Sequence, residues 1–146
     1  MIINIDKPTG WSSFDVVKKI KNEHCIIVGA NGNFHGRSLA AVSMSDDKDS
    51  RDGFGPFVPG IKLVPYNDIT TLEALFKKEG DRIAAFMVEP IQGEAGVIVP
   101  DNDYFKKVSV LCKKHNILLA MDEVQTGFGR TGANFGHQLF GVKPDI

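Results

Sequence analysis

Along most of this chain, short apolar runs alternate with segments whose apolar positions recur every three or four residues. The first kind reads as a strand and the second as a helix packed against it. Apolar runs occupy residues 25–28, Ile61–Val64, Ile83–Val88 and 117–121. A short helix is predicted over residues 36–44. A longer one opens at Thr70-x-x-Glu73, carries Leu72, Leu75 and Phe76 on one side, and closes at Gly80. The Thr/Glu spacing predicts a capping box, and the glycine a C-terminal stop. Tyr104–His115 is amphipathic, apolar at Tyr104, Phe105, Val108, Leu111 and Cys112. Strand, helix and strand at this spacing predict right-handed crossovers, a parallel sheet and an α/β fold. Residues 45–60 are polar, with Pro56, Pro59 and several glycines, and predict a long loop.

The pattern changes character near residues 22–25. Before that point the chain reads as a short strand over residues 2–5, a turn at Asp6-Lys7-Pro8-Thr9-Gly10, and a helix. That helix is capped by Ser12 or Ser13 and is apolar at Val16, Val17 and Ile20. With 146 residues, 42% hydrophobic and 24% charged, the chain has the composition of a globular domain large enough to bury one core. The net charge of -1 offers no electrostatic case for nucleic acid or a membrane surface. No apolar run approaches the roughly 20 residues of a membrane span, and residues 1–10 do not form a secretory signal. Cys25 and Cys112 stand in no metal-ligand spacing and read as reduced thiols, and no metal is expected. These features predict a cytoplasmic protein.

The chemistry concentrates where strands end. The run Leu118-Leu119-Ala120-Met121 stops at Asp122-Glu123, followed by Val124-Gln125 and a glycine-rich turn. Such a run predicts a strand buried on both faces, and ligands of parallel sheets sit outside the carboxyl ends of the strands. A carboxylate there is costly to ionise without a positive or hydrogen-bonding partner. Asp122 is therefore a candidate for the protonated ring nitrogen of a cofactor, with Gln125 on a second ring substituent; the alternative for Asp122 is a cap on the following turn. Phe34, in Asn31-Gly32-Asn33-Phe34-His35-Gly36-Arg37, suits stacking on a flat ligand or anchoring its loop to the core. His35 is a ligand-facing donor or a structural residue. Arg37 is a carboxylate fork or a surface cation. Glu89 and Glu94 bracket the loop after a neighbouring strand, and Glu89 has the alternative of capping the amides of Gly93 or Glu94.

Taken jointly, these stretches resemble one family. The resemblance runs through Gly32-Asn33-Phe34-His35-Gly36-Arg37, residues 52–60, Val64-Pro65-Tyr66-Asn67-Asp68, residues 86–97, Met121-Asp122-Glu123-Val124-Gln125-Thr126-Gly127 and Val142-Lys143-Pro144-Asp145-Ile146. Residues 26–146 are similar to the central part of the class III pyridoxal-phosphate aminotransferases, most of all to the ornithine aminotransferases. The resemblance implies an incomplete, parallel-sheet large domain of a fold-type I pyridoxal-phosphate-dependent transferase over residues 25–146. It implies pyridoxal 5'-phosphate as cofactor, an amino acid and a 2-oxo acid as substrates, and a homodimer. The δ-amino group of ornithine would pass to the 2-oxo acid, and the mitochondrial matrix becomes an alternative compartment for the full-length protein.

It also implies roles. Asp122 would hold the pyridine nitrogen, Gln125 the ring oxygen, Phe34 the ring face and Arg37 a substrate carboxylate. His35 would belong to the cofactor site. Glu94 would tune the pocket between amino donor and oxo acid, and Glu89 would support the site from behind. The family's Schiff-base lysine lies beyond the Val-Lys-Pro-Asp segment, and Lys143 is not that residue. The expectation is therefore a chain without the catalytic lysine, inactive alone, with a partly open sheet and marginal stability. Residues 1–22 resemble a different family: Ile3-Asn4-Ile5-Asp6-Lys7-Pro8-Thr9-Gly10-Trp11-Ser12-Ser13 is similar to the opening motif of TruB-type tRNA pseudouridine synthases. That gives an RNA-modifying fragment as the alternative reading, with a non-catalytic α/β module as a third.

Overall fold

The computed structural model describes residues 25–146, and the strand, turn and helix expected within residues 1–24 lie outside the described residues. Strands β1 (Ile26–Ala30), β2 (Ile61–Val64), β3 (Ile83–Val88) and β4 (Leu118–Met121) form one sheet in the order β2-β1-β3-β4. Every pairing is parallel. Helices α1 (Leu39–Met44), α2 (Lys48–Arg51), α3 (Ile69–Glu79) and α4 (Tyr104–His115) make the connections. The parallel α/β architecture expected from the alternating pattern is what forms.

The core lies on one face. Val28, Phe86 and Leu119, from three strands, share a buried cluster with Leu72 and Phe76 of α3 and Phe105 and Val108 of α4. The pleat gives the other face to Gly29, Leu63 and Ile27. Gly29 is needed there: a Cβ would sit 3.0 Å from both Leu63 Cδ2 and Met44 Cε, so its absence lets the end of α1 lie against the sheet. Ile27 stays 38% exposed. Among the described residues, the helices thus seal one face completely and the other only in part.

Three local expectations change. The short helix starts at Leu39 rather than at residue 36, because Ser38 caps it by accepting from the Ala41 amide. The long loop contains a turn of helix, α2, capped by Asp47. Helix α3 has no Thr70/Glu73 box; its cap lies two residues earlier, at Asp68, whose carboxylate accepts from the Thr71 amide and hydroxyl. An ionised acceptor outcompetes a hydroxyl for the free amides of a first turn.

The chain leaves β1 for β2 on one side and returns through α3 to β3 on the other. The carboxyl ends of β1 and β3 therefore flank a topological switch point, where parallel sheets open a crevice. At the outer edge of β4, the Met121 amide donates to Ile146 O and the Leu119 amide to Asp145 Oδ2. Among the described residues, no helix is long and apolar enough to cross a membrane.

Candidate functional site

The loop after β1 is built to stand over the switch point. Asn33 is buried and donates through Nδ2 to Ala30 O at 2.6 Å and Met44 O at 2.7 Å, tying the loop to its strand and to α1. Asp46 accepts from Asn31 Nδ2 at 2.8 Å and the Gly32 amide at 2.9 Å. Gln92, 1% exposed, donates to Asn31 O at 2.8 Å from the loop after β3. Phe34 and His35 are the product of this bracing: a half-buried aromatic ring followed by an imidazole whose side chain is 2% exposed.

His35 Nδ1 lies 2.7 Å from Asp122 Oδ2. Asp122 Oδ1 accepts from the Val124 amide at 3.0 Å, and the Asp122 amide continues the sheet ladder to Val88 O. Burial pushes the Asp122 carboxyl up, but the bonds from His35 and Val124 outweigh it and hold it below the usual range. Asp122 is thus ionised at neutral pH, which makes His35 Nδ1 the donor. His35 Nε2 is buried and has no partner among the described residues. The turn-cap reading of Asp122 holds for one oxygen, which takes the Val124 amide, while the other meets the imidazole.

Glu89, at the end of β3, is 5% exposed and accepts from the Phe34 amide at 3.3 Å. Burial raises its pKa, and the Asp122 charge adds to that. The amides of Phe34 and Gly93 and the nearby His35 pull the other way without cancelling it. The expected cap on Gly93 is part of this balance. Tyr66 Oη donates to Glu89 O at 3.2 Å and Pro90 O at 2.9 Å, fixing the backbone at that strand end. Gln125 Nε2 reaches Glu94 Oε1 at 3.3 Å and lies directly on Gly93, where a Cβ would collide with Gln125 Oε1.

The structure therefore brings Phe34, His35, Glu89 and Asp122 into one connected group and joins Gln125 to Glu94 across the loops after β3 and β4. Arg37 is exposed and bonds to none of them. Two residues were not singled out from sequence. One is Gln92, whose burial between two loops carries no local signature. The other is Glu123, whose partners Gly136 and His137 lie 13 and 14 residues downstream with no local signature. No grouping among the described residues could hold a metal ion.

An aminotransferase class III family model matches residues 12–146. The chain belongs to the class III aminotransferases. It is 49% identical over 138 residues to an ornithine aminotransferase of Emericella nidulans, covering 89% of this chain and 30% of that one. It is 54% identical over 130 residues to a probable mitochondrial ornithine aminotransferase of Caenorhabditis elegans, with the same two coverages. Among solved structures, the ornithine aminotransferase of Toxoplasma gondii superposes with a TM-score of 0.82 at 42% identity, over 88% of this chain and 30% of that one. That structure was described with partial occupancy of PLP at its active site. An ω-transaminase of Thermomicrobium roseum gives the same TM-score at 32% identity, over 89% of this chain and 33% of that one. This class III chain spans about 30% of the length of the curated relatives it matches.

Proposed function

We propose that this chain supplies the ring-binding part of a pyridoxal-phosphate-dependent ornithine aminotransferase, which moves the δ-amino group of ornithine to a 2-oxo acid. The observation that carries this reading is the ionised Asp122, held at the sheet's rim by His35. A pyridine nitrogen needs an anion to stay protonated, and Asp122 is an anion whose charge is stabilised before any ligand arrives. Phe34 stands beside that pair with its amide pinned by Glu89. These residues fit the ring end of pyridoxal 5'-phosphate. When bound, that cofactor supplies an electron sink for the bond broken at the substrate carbon.

The chain's own residues then have distinct tasks. Asp122 accepts the ring N–H, His35 orients Asp122, and Phe34 covers a ring face. Gln125 is the donor for the ring oxygen. Arg37, exposed at the end of the same loop, suits a substrate carboxylate, and Glu94, close to Gln125, borders the substrate. None of the residues brought together at this rim is a lysine, so we propose binding without turnover for the chain alone. Exposed apolar tips at Val97 (71%), Val124 (89%) and Phe128 (95%) favour assembly with a second copy. The alternative of an RNA-modifying fragment rests on residues outside the described ones, and no feature of the rim supports it.

The test is a titration with pyridoxal 5'-phosphate, followed by absorbance and by melting temperature. Binding by the parent chain that weakens about tenfold in Asp122→Asn, near 1.4 kcal/mol, is expected. Equal binding by both, or none by the parent, overturns the reading. Incubation with ornithine and 2-oxoglutarate is expected to give no transamination.

A further inference from the structure

We propose that Glu123 is a positioning residue: its carboxylate clamps residues 124–137 and thereby holds Gln125 at the rim. The inference builds on the proposed function for the use made of Gln125, while the clamp itself stands on geometry.

Adjacent carboxylates at the end of β4 turn to opposite tasks. Asp122 faces His35 across the sheet's end. Glu123 faces its own downstream chain. Its Oε2 accepts from the Gly136 amide at 2.8 Å and from the Thr126 hydroxyl. Its Oε1 accepts from the His137 amide at 2.8 Å and lies 3.0 Å from His137 Nδ1. Both oxygens are used, which is what a carboxylate only 13% exposed requires.

The grip is close on every side. A Cβ on Gly136 would stand 2.9 Å from Thr126 Cβ, 3.0 Å from Glu123 Oε2 and 3.1 Å from Pro90 Cβ. A Cβ on Gly127 would stand 2.8 Å from Glu123 O, which accepts the Gly127 amide at 2.8 Å. Between these anchors, residues 127–135 have no helix or strand, and Phe128 points into solvent. Gln125 is exposed and, among the described residues, its side chain makes one long bond, to Glu94. Its place therefore depends on the backbone of residues 124–126, which Asp122 holds through the Val124 amide and Glu123 through Thr126.

The experiment compares Glu123→Ala, Glu123→Gln and the surface control Glu73→Gln in the full chain. NMR would follow hydrogen exchange at the Gly136 and His137 amides and the side-chain amide signals of Gln125, and absorbance would follow pyridoxal 5'-phosphate affinity. In Glu123→Ala, exchange at both amides should rise about tenfold or more while β1 amides stay protected, and the Gln125 signals should move. Glu123→Gln keeps one acceptor oxygen and should restore part of each effect; it replaces the alanine variant if that one does not fold. Affinity should fall about tenfold in Glu123→Ala, with partial rescue in Glu123→Gln. Unchanged exchange would overturn the clamp. Faster exchange with unmoved Gln125 signals would reduce Glu123 to a loop anchor and overturn its positioning role. A parent chain that binds no pyridoxal 5'-phosphate would defeat the proposed function, while exchange and the Gln125 signals would still decide the role of Glu123.

Discussion

His35 and Asp122 stand 87 positions apart in sequence and 2.7 Å apart in space. The contact runs across the end of β3, from the loop after β1 to the end of β4. An imidazole 2% exposed is thereby committed to one acceptor, and a carboxylate that burial would neutralise is kept charged. Removing the imidazole should remove that commitment. In His35→Ala, affinity for pyridoxal 5'-phosphate should fall about tenfold or more, since hydrogen bonds to charged groups contribute about 1.5–3 kcal/mol. A binding isotherm at pH 7.5 checks this, and an unchanged affinity would show that Asp122 needs no support.

Asp122 also gives a pH dependence with a definite sign. Its folded pKa is depressed, so its contribution to stability is full above the ordinary aspartate value of 3.8 and is lost as pH falls through the lower folded value. The melting temperatures of the parent and Asp122→Asn should differ most above pH 4 and converge in stronger acid. Thermal scans from pH 2 to pH 7 measure it.

Glu89 has the opposite sign. Its folded pKa lies above the ordinary 4.5, so the stability it contributes is full below that value and declines as pH rises through the folded pKa. Glu89→Gln keeps an oxygen for the Phe34 amide and abolishes the titration. The variant should gain on the parent as pH rises above 4.5 and the gain should level off once pH has passed the folded pKa, read from the same scans. A gap independent of pH would mean that Glu89 does not titrate in that range.

Gly93 is a steric floor for Gln125. Its φ lies outside the left-handed region, so Gly93→Ala imposes no backbone strain, but its methyl would occupy the position of Gln125 Oε1. The glutamine must swing away and lose Glu94. Stability should change by less than about 1 kcal/mol, whereas the Gln125 side-chain amide signals should shift clearly. A shift of neither would place the side chain elsewhere in solution.

Phe86 offers the contrasting case. It is fully buried at the centre of the sheet, and Phe86→Ala should cost about 3–5 kcal/mol. Because Phe86 belongs to the buried cluster that joins the strands to α3 and α4, that loss should abolish the cooperative thermal transition.

Much of this architecture was legible because local pattern and burial coincide. Ile61–Val64, Ile83–Val88 and Tyr104–His115 form as the periodicity predicts, since each presents an unbroken apolar run or stripe to one core. The start of α1 and the capping of α3 were less legible, because several polar residues compete for the first amides of a helix and spacing does not rank them. At the site, residue types near strand ends were readable, but partnerships were not. Nothing near His35 announces Asp122. Glu123 and Asp122 look alike in sequence, and only the return of the chain at Gly136 and His137 sends the second inward.

The two borders of the sheet are guarded by different means. On one side, Asp145 and Ile146 already occupy amides that a foreign β-segment would seek. On the other, β2 carries Lys62 at its middle, neutralised by Glu79 from the adjoining helix yet still hydrated enough to penalise stacking. Edge-to-edge growth along the described sheet must therefore displace residues 145 and 146 or desolvate an ammonium group, so both described borders resist the addition of a further strand.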